Sequence, residues 1–259
     1  MSCQKIILPV ASGDRNSEPR SVEEDLHLDH HISDKFNEEL ERLKSGVLEM
    51  GGLVEAQCKD ALQALVEGDA SLAEKVAGSD YKINQMEVEI NADCTAILAR
   101  RQPAASDLRL LLAIIRMTSD LERIGDEAEK IGRLAAKLAE GHEKQSYYLE
   151  PQHLGESVIA MLAGALEAFA RLDVEAAIKV AGKDAEIDRE FESLTRTLIT
   201  HMMEQPRAVK SMLRVNWCAR ALERVGDHAV NICEEVVFLV KGSDVRHLSH
   251  EEISDKYLD

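Results

Sequence analysis

From Ser33 onward, apolar side chains recur at steps of four and three. Phe36, Leu40, Leu43, Val47, Met50 and Val54 form a coiled-coil-like seam that continues through Cys58, Ala61 and Leu65. That period places successive side chains on one stripe of an α-helix, here about nine turns long. Asp69 stands where it can cap a short helix ending near Gly78. A third helix starts at Ser79 or Asp80 and must stop before Pro103, which lacks an N–H and clashes with a continuing helix. The fourth runs from about Ser106 to Leu138 along Leu110, Ile114, Met117, Leu121, Ile124, Ala128, Ile131 and Ala135, and Gly141 ends it. Residues 1–32 lack the period and carry Pro9, Gly13 and Pro19 in a polar run, so they read as a flexible extension.

The second half repeats the plan. The stretch Ala61–Asn84 aligns without a gap on Ala165–Asp188, and Pro206 falls where Pro103 fell. The last seam reads Val215, Cys218, Leu222, Val225, Ala229, Ile232, Val236 and Leu239. The pattern predicts an all-α chain of two tandem, similar three-helix bundles, each with one extra short helix. The bundles span residues 33–142 and 143–243, Pro151 starts the second bundle's first helix, and 244–259 form a C-terminal tail.

Composition narrows the function. The 259 residues are 45% apolar, enough to bury a core, and 3% aromatic. A net charge of −17 repels phosphate backbones, and few aromatics are present for bases to stack on, so nucleic acid is a poor partner. An anionic membrane surface is disfavoured for the same reason. Cys3, Cys58, Cys94, Cys218 and Cys233 are scattered without a C-x-x-C pair, and the last four fall inside helical patterns as reduced core thiols. No signal segment or membrane-spanning apolar run is read, so a cytoplasmic protein with no membrane insertion is expected.

One phrase occurs twice. "LERIGDEAEKI" runs from Leu121 to Ile131 and "LERVGDHAVNI" from Leu222 to Ile232. Glu122 and Asp126, and again Glu223 and Asp227, are four apart and off the apolar seam, so each pair shares one stripe where like charges repel. The third helix of each unit opens with the same spacing, Asp80 with Asn84 and Asp184 with Asp188. Gly125 and Gly226 lie mid-helix between the acids and leave room for a close approach to the backbone. Four oxygen side chains from two neighbouring helices suit hard cations. The alternative is a solvated polar face copied by duplication.

"RRQPAASDLRLLLAIIRMTSDLERIGDEAEKI" (Arg100–Ile131) resembles the first signature of the PhoU family, and "RALERVGDHAVNICEEV" (Arg220–Val236) resembles its second. The resemblance covers about residues 33–243 and leaves the N-terminal extension and the tail after Ser243 unexplained. It implies a non-enzymatic cytoplasmic regulator of phosphate uptake and of the phosphate-starvation response. Such a protein is an adaptor between the ATPase subunit of a phosphate ABC transporter and a phosphate-sensing histidine kinase, peripheral at the inner membrane through those partners, and a homodimer is expected. The resemblance also implies divalent or ferric ions (iron, zinc, manganese or magnesium) in multinuclear clusters. Carried over, the metal ligands are Asp80, Asn84, Glu122 and Asp126 in the first bundle and Asp184, Asp188, Glu223 and Asp227 in the second. Asn84 departs from the pattern by supplying a neutral oxygen, which favours the second site.

Other residues weigh less. Glu24–His27 and Glu150–His153 have the Glu-x-x-His spacing of di-iron bundles but are not a matched pair on packed helices. His27, His30, His31, His247 and His250 lie outside the expected bundles and read as solvated. His228 is an optional extra ligand, although the first repeat has Glu127 there, and His201 reads as a core-edge residue. Arg123 and Arg224 sit among acids, so ion pairing with Asp120, Asp126 or Asp227 is simpler than phosphate binding. No P-loop, G-x-G-x-x-G or nucleophile–base pair is read. The rival readings are a metal-free helical scaffold and a carboxylate-metal enzyme.

Overall fold

A computed structural model describes residues 34–79, 81–140 and 151–258. The N-terminal extension, Asp80, Gly141, Glu150 and the expected boundary near 142–150 lie outside the described residues. The first bundle comprises α1 (Asp34–Glu67), α2 (Ala70–Ala77), α3 (Tyr81–Arg101) and α4 (Ala105–Ala139). The second comprises α5 (Gln152–Arg171), α6 (Val174–Ala181), α7 (Asp184–Glu204) and α8 (Val209–Lys241), with a single 3₁₀ turn at Pro206–Ala208. There is no strand among the described residues. The seam residues of α1, α4 and α8 are the buried ones, as the four–three period requires.

The duplication extends to details of the short helices. The Asp69 carboxylate accepts from Ser71 N (2.9 Å) and Leu72 N (3.0 Å), and Asp173 accepts from Ala176 N (2.9 Å). Each thereby satisfies amides that the first helical turn leaves open. The residue before each cap region is left-handed: Gly68 at φ 67°, and Leu172 at φ 53°, where a side chain is strained.

Two antiparallel contacts join the bundles. α4 and α8 run along each other, from Arg109 Nε donating to Leu239 O (3.2 Å) at one end to Arg214 Nη1 donating to Lys137 O (2.8 Å) at the other. Between these lie Arg116 with Glu235 (3.2 Å), Asp120 with His228 (2.9 Å) and Asn231 (3.0 Å), and Arg224 with Glu127 (2.8 Å). α1 and α5 meet through a reciprocal pair: a Cβ on Gly51 would stand 2.5 Å from Leu166, and one on Gly155 would stand 2.5 Å from Leu62. Exchange of the two repeats maps one contact onto the other, so the bundles are related by a pseudo-two-fold.

Glycine also seats α2 on α4. A Cβ on Gly132 would lie 2.9 Å from Val76 Cγ1, 3.0 Å from Ala73 O and 3.1 Å from Ala77 N, two of them backbone atoms that cannot swing away. We expect Gly132→Val to lower unfolding free energy by about 2–3 kcal/mol through overpacking. Gly52→Ala on α1, where nothing lies within 4 Å, should raise it by about 0.5–1 kcal/mol through helix propensity. Urea denaturation checks both signs, and a neutral Gly132→Val would mean that α2 is not held by this contact.

Two expectations are corrected. The C-terminal tail carries α9 (His250–Tyr257), which opens with a Ser249–Glu252 capping box, and Val245 and Ile253 pack against Val174, Ile178 and Val237. His250 is therefore not merely solvated, since its Nε2 lies 3.0 Å from Ile178 O. Second, α5 is long and apolar enough to cross a membrane by length and composition. Over half of that stretch is buried, with Leu154, Val158, Met161, Leu162 and Phe169 in the core. Cys58, Cys94, Cys218 and Cys233 are buried free thiols, each pushed up to about 12 mainly by desolvation. Cys3 lies outside the described residues.

Candidate metal centre

In the second bundle, Ile187 and Leu194 of α7 and Leu222 and Val225 of α8 turn into the core. That rotation brings Asp184 and Asp188 on α7 to face Glu223 and Asp227 on α8. Gly226 sits under the stripe, and a Cβ there would meet Ile187 (3.7 Å) and Asp184 Oδ1 (3.8 Å) at ordinary contact distance. The close approach to Gly226 is thus made by α7 itself, and an alanine would fit.

The four acids feel one another. Burial, then Asp188, then Asp227 push the Asp184 carboxyl up to about 6. Asp227 is raised first by burial and then by Asp188. Glu223 is raised by burial, with Asp227, Asp188 and Asp184 adding and Arg220 opposing. Glu223 is only 7% exposed. Its Oε1 accepts from Arg220 Nη1, whose guanidinium lies over the Phe191 ring at 5.6 Å, while its Oε2 is buried with no hydrogen-bond partner. Raised proton affinity and an unsatisfied carboxylate oxygen are what a site looks like when it lacks the positive charge that its donors suit. The donor set fits a hard cation. Among the described residues, however, no group of three His, Cys, Asp or Glu side chains forms a preformed metal cage, so binding a cation would require the side chains to draw together.

The first bundle places Asn84 and Glu122 half-buried and Asp126 exposed; Asp80 lies outside the described residues. Sequence reasoning missed Glu87. It is half-buried on α3, its carboxyl is raised by burial and by Asp126, and Arg123 opposes the rise. The signal was available, because Glu87 is three residues beyond Asn84 on the same stripe. Glu87 adds an acid beside the neutral Asn84, which bears on the expectation that charge count favours the second site.

Other side chains settle differently from expectation. Arg224 pairs with Glu127 across the bundle interface at 2.8 Å, rather than with Asp120, Asp126 or Asp227. Glu127 also accepts from Lys130 (2.8 Å). His228 turns to Asp120 and serves the interface. His153 lies 2.6 Å from Glu190, and His201 is half-buried with Glu204 at 3.7 Å, near the core edge as expected.

A PhoU domain model matches residues 47–135 and again 152–236, one match per bundle. The chain is 53% identical over 221 residues to the phosphate-specific transport system accessory protein PhoU homolog of Pseudomonas putida, covering 85% of this chain and 86% of that protein. It is 44% identical over 234 residues to the PhoU accessory protein of Escherichia coli strain K12, covering 90% and 96%. The crystal structure of PhoU from Pseudomonas aeruginosa superposes with a TM-score of 0.78 at 51% identity, covering 80% of this chain and all of that one. The phosphate transport system regulatory protein PhoU from Streptococcus pneumoniae superposes with a TM-score of 0.75 at 33% identity, covering 81% and 99%. These names describe accessory and regulatory proteins, not enzymes. With both bundles matched in order, the chain belongs to the PhoU family.

Proposed function

We propose that this protein is a non-enzymatic, cytoplasmic regulator of phosphate uptake and of the phosphate-starvation response, and that it acts as a metal-binding adaptor. The observation that carries the reading is the match of both bundles, at 53% identity, to an accessory protein of a phosphate-specific transport system. The partners that fit are the ATPase subunit of a phosphate ABC transporter and a phosphate-sensing histidine kinase, with a homodimer as the working unit. Binding to them would keep the protein peripheral at the inner membrane.

In the second bundle Asp184, Asp188, Glu223 and Asp227 would hold a divalent or ferric cation, or a cluster of iron, zinc, manganese or magnesium. Asp80, Asn84, Glu87, Glu122 and Asp126 would do so in the first. A bound cation would supply the positive charge that these stripes lack and tie two helices of a bundle together. The protein's own part is positional: Ile187 and Val225 fix the rotation of α7 and α8, and Arg220 holds Glu223 Oε1.

Deletion of the gene is expected to derepress phosphate-starvation genes in phosphate-rich medium by about tenfold or more, the scale of losing an effector coupling of roughly 1–3 kcal/mol. A reporter fused to a phosphate-starvation promoter measures it, with the wild-type chain restoring repression. Full repression in a strain lacking every copy would remove the regulatory reading.

A further inference from the structure

We propose that the tip of the second bundle, where α7 turns into α8, docks directly onto an anionic lipid surface. This contact goes beyond attachment through partner proteins and does not depend on it. α7 ends at Glu204, the 3₁₀ turn spans Pro206–Ala208, and α8 begins at Val209. Every residue from Met203 to Arg207 is exposed. Large apolar side chains stand in solvent around this turn: Met203 is 79% exposed and Trp217 50%, with Ile199 and Leu213 exposed beside them. They belong to one surface. Thr195 Oγ1 donates to Asn216 Oδ1 at 3.0 Å, which fixes α7 against α8. Ile199 and Met203 continue the stripe of Thr195 towards the turn. Leu213, three before Asn216, shares a stripe with Trp217 four further on.

The tip is also basic, against the balance of the chain. Between Glu192 and Glu223 lie five basic residues, Arg196, Arg207, Lys210, Arg214 and Arg220, and one acid, Glu204, whereas the whole chain carries −17. Arg220 is taken up by Glu223, and Arg214 Nη1 donates to Lys137 O (2.8 Å). At that neighbouring end of α4, Glu140 is offset by Lys137. Arg196, Arg207 and Lys210 are exposed and form no ion pair with another described residue. The acid stripe does not cancel them. Asp227 lies 18 residues beyond Val209, about 27 Å along α8, and the screening length at physiological salt is about 8 Å. Local charge therefore decides what the tip meets, although net charge alone disfavours an anionic surface.

The duplication supplies an internal control. The repeats are offset by 104 along α7, from Asn84 against Asp188, and by 101 along α8, from Glu122 against Glu223. Ile199, Met203, Leu213 and Trp217 then correspond to Thr95, Ala99, Leu112 and Arg116. Arg116 turns to Glu235 (3.2 Å), and Leu112 is half-buried. The matching stretch from Glu89 to Leu121 holds four basic residues and four acids. The same helical hairpin is built once without an apolar, basic tip, so folding does not require one.

The side-chain chemistry selects the occupant. Trp with Lys and Arg around protruding Met, Ile and Leu suits a membrane interface: aliphatic chains enter the acyl boundary, the indole stays among headgroups, and the cations meet anionic phosphates. With the tip about 5–10 Å deep, Trp217 stands about 12 Å up α8, at headgroup level. The acid stripe stays clear of the surface.

Trp217 is the only tryptophan in the chain, so its fluorescence reports the contact. The full chain is titrated with vesicles of phosphatidylglycerol mixed with phosphatidylethanolamine, and separately with phosphatidylcholine vesicles. EDTA in the buffer prevents metal bridges between lipid and the acid stripes. The expected result is a saturable blue shift and co-sedimentation with the anionic vesicles, and binding to phosphatidylcholine weaker by about tenfold or more. Lys210→Glu should weaken anionic-vesicle binding by about fivefold or more, the scale of one basic residue near an anionic leaflet. Met203→Glu should weaken it by about tenfold or more through loss of a buried apolar side chain. Arg100→Glu, at the matching tip of the first bundle, should leave it unchanged. All three positions are exposed, so the variants should melt with the wild type. Absence of binding to anionic vesicles overturns the proposal and leaves the tip to a protein partner. Equal binding to phosphatidylcholine overturns it, as does an Arg100→Glu effect as large as that of Lys210→Glu. Sedimentation velocity covers a second copy as occupant: if Met203→Glu lowers the oligomeric state and leaves vesicle binding intact, the proposal falls.

Discussion

Replacing Arg116 with alanine is expected to lower the stability of the whole molecule by about 3 kcal/mol, the lower end of what removing one partner of a buried ion pair costs. Glu235 is 3% exposed at the α4–α8 interface, and both its oxygens lie 3.2 Å from Arg116 Nη1. Burial raises its carboxyl, and Arg116 is the largest influence opposing that rise. The neighbouring Glu234 is already pushed up to about 7, by burial first and by Glu235 second. Without the guanidinium, two acids would share one partly desolvated place. The Arg116 side chain is 34% exposed, so solvent recovers part of the loss, which is why the lower figure is expected. The guanidinium also lies over the Phe238 ring at 5.1 Å, and alanine leaves that ring face without its cation.

The sign of the pH dependence follows. An acid whose folded-state affinity for protons is raised adds stability at low pH and loses it as pH rises through the folded value. The Arg116→Ala deficit should therefore be largest near pH 8 and shrink towards pH 5, where Glu235 can take a proton. Glu235→Gln in the Arg116→Ala background should recover most of the loss, because it removes the stranded charge rather than the packing. Urea denaturation of the four proteins closes the cycle. A single-mutant loss under about 0.5 kcal/mol, the size of an ordinary surface change, would mean that the pair does not fasten the two bundles.

That pair illustrates where sequence reading stops. The seam of α4 was legible because each of its residues answers to a neighbour three or four places away, and the observed helix ends fall within a residue or two of Ser106 and Leu138. The Asp69 cap was legible for the same reason. Arg116 and Glu235 are 119 residues apart, and nothing local distinguishes them from other charges on a helix. Local spacing gives Arg224 to nearby acids, yet it reaches Glu127 on the other bundle, because α4 and α8 run antiparallel, with Arg109 against Leu239 at one end and Arg214 against Lys137 at the other. α9 has no legible period because eight residues hold barely two apolar repeats. The acid stripes are the intermediate case. Their spacing predicted that Asp184, Asp188, Glu223 and Asp227 would face one another, but not that Glu87 would join Asp126, nor that Glu223 would keep one oxygen buried and unsatisfied.

Changing Glu223 and Asp227 together to alanine is expected to remove the metal bound by the second bundle and, in metal-free protein at pH 8, to raise stability. Both follow from the same electrostatics. Asp184 moves from an ordinary 3.8 to about 6 because burial and the charges of Asp188 and Asp227 oppose its ionisation. The folded state thus binds protons more tightly than the unfolded one, so stability is full below about pH 4 and falls as pH rises through 6. Metal-free wild type should melt higher at pH 5 than at pH 8, with Asp184 contributing about 1 kcal/mol after solvent screening. A cation at a hundred times its dissociation constant should reverse the trend by adding about 2.7 kcal/mol at pH 8. The double variant loses both the repulsion and the site, so its melting should depend less on pH and not at all on metal in that bundle. Leu222 and Val225 hold α8 in register without the acids, so helix content should not change. The matching change at Glu122 and Asp126 should remove a comparable share of metal, because Glu87 compensates for the neutral Asn84. Elemental analysis of untagged protein, beside melting curves at the two pH values, decides the matter: unchanged metal content in both variants would leave the two stripes as a solvated face copied by duplication.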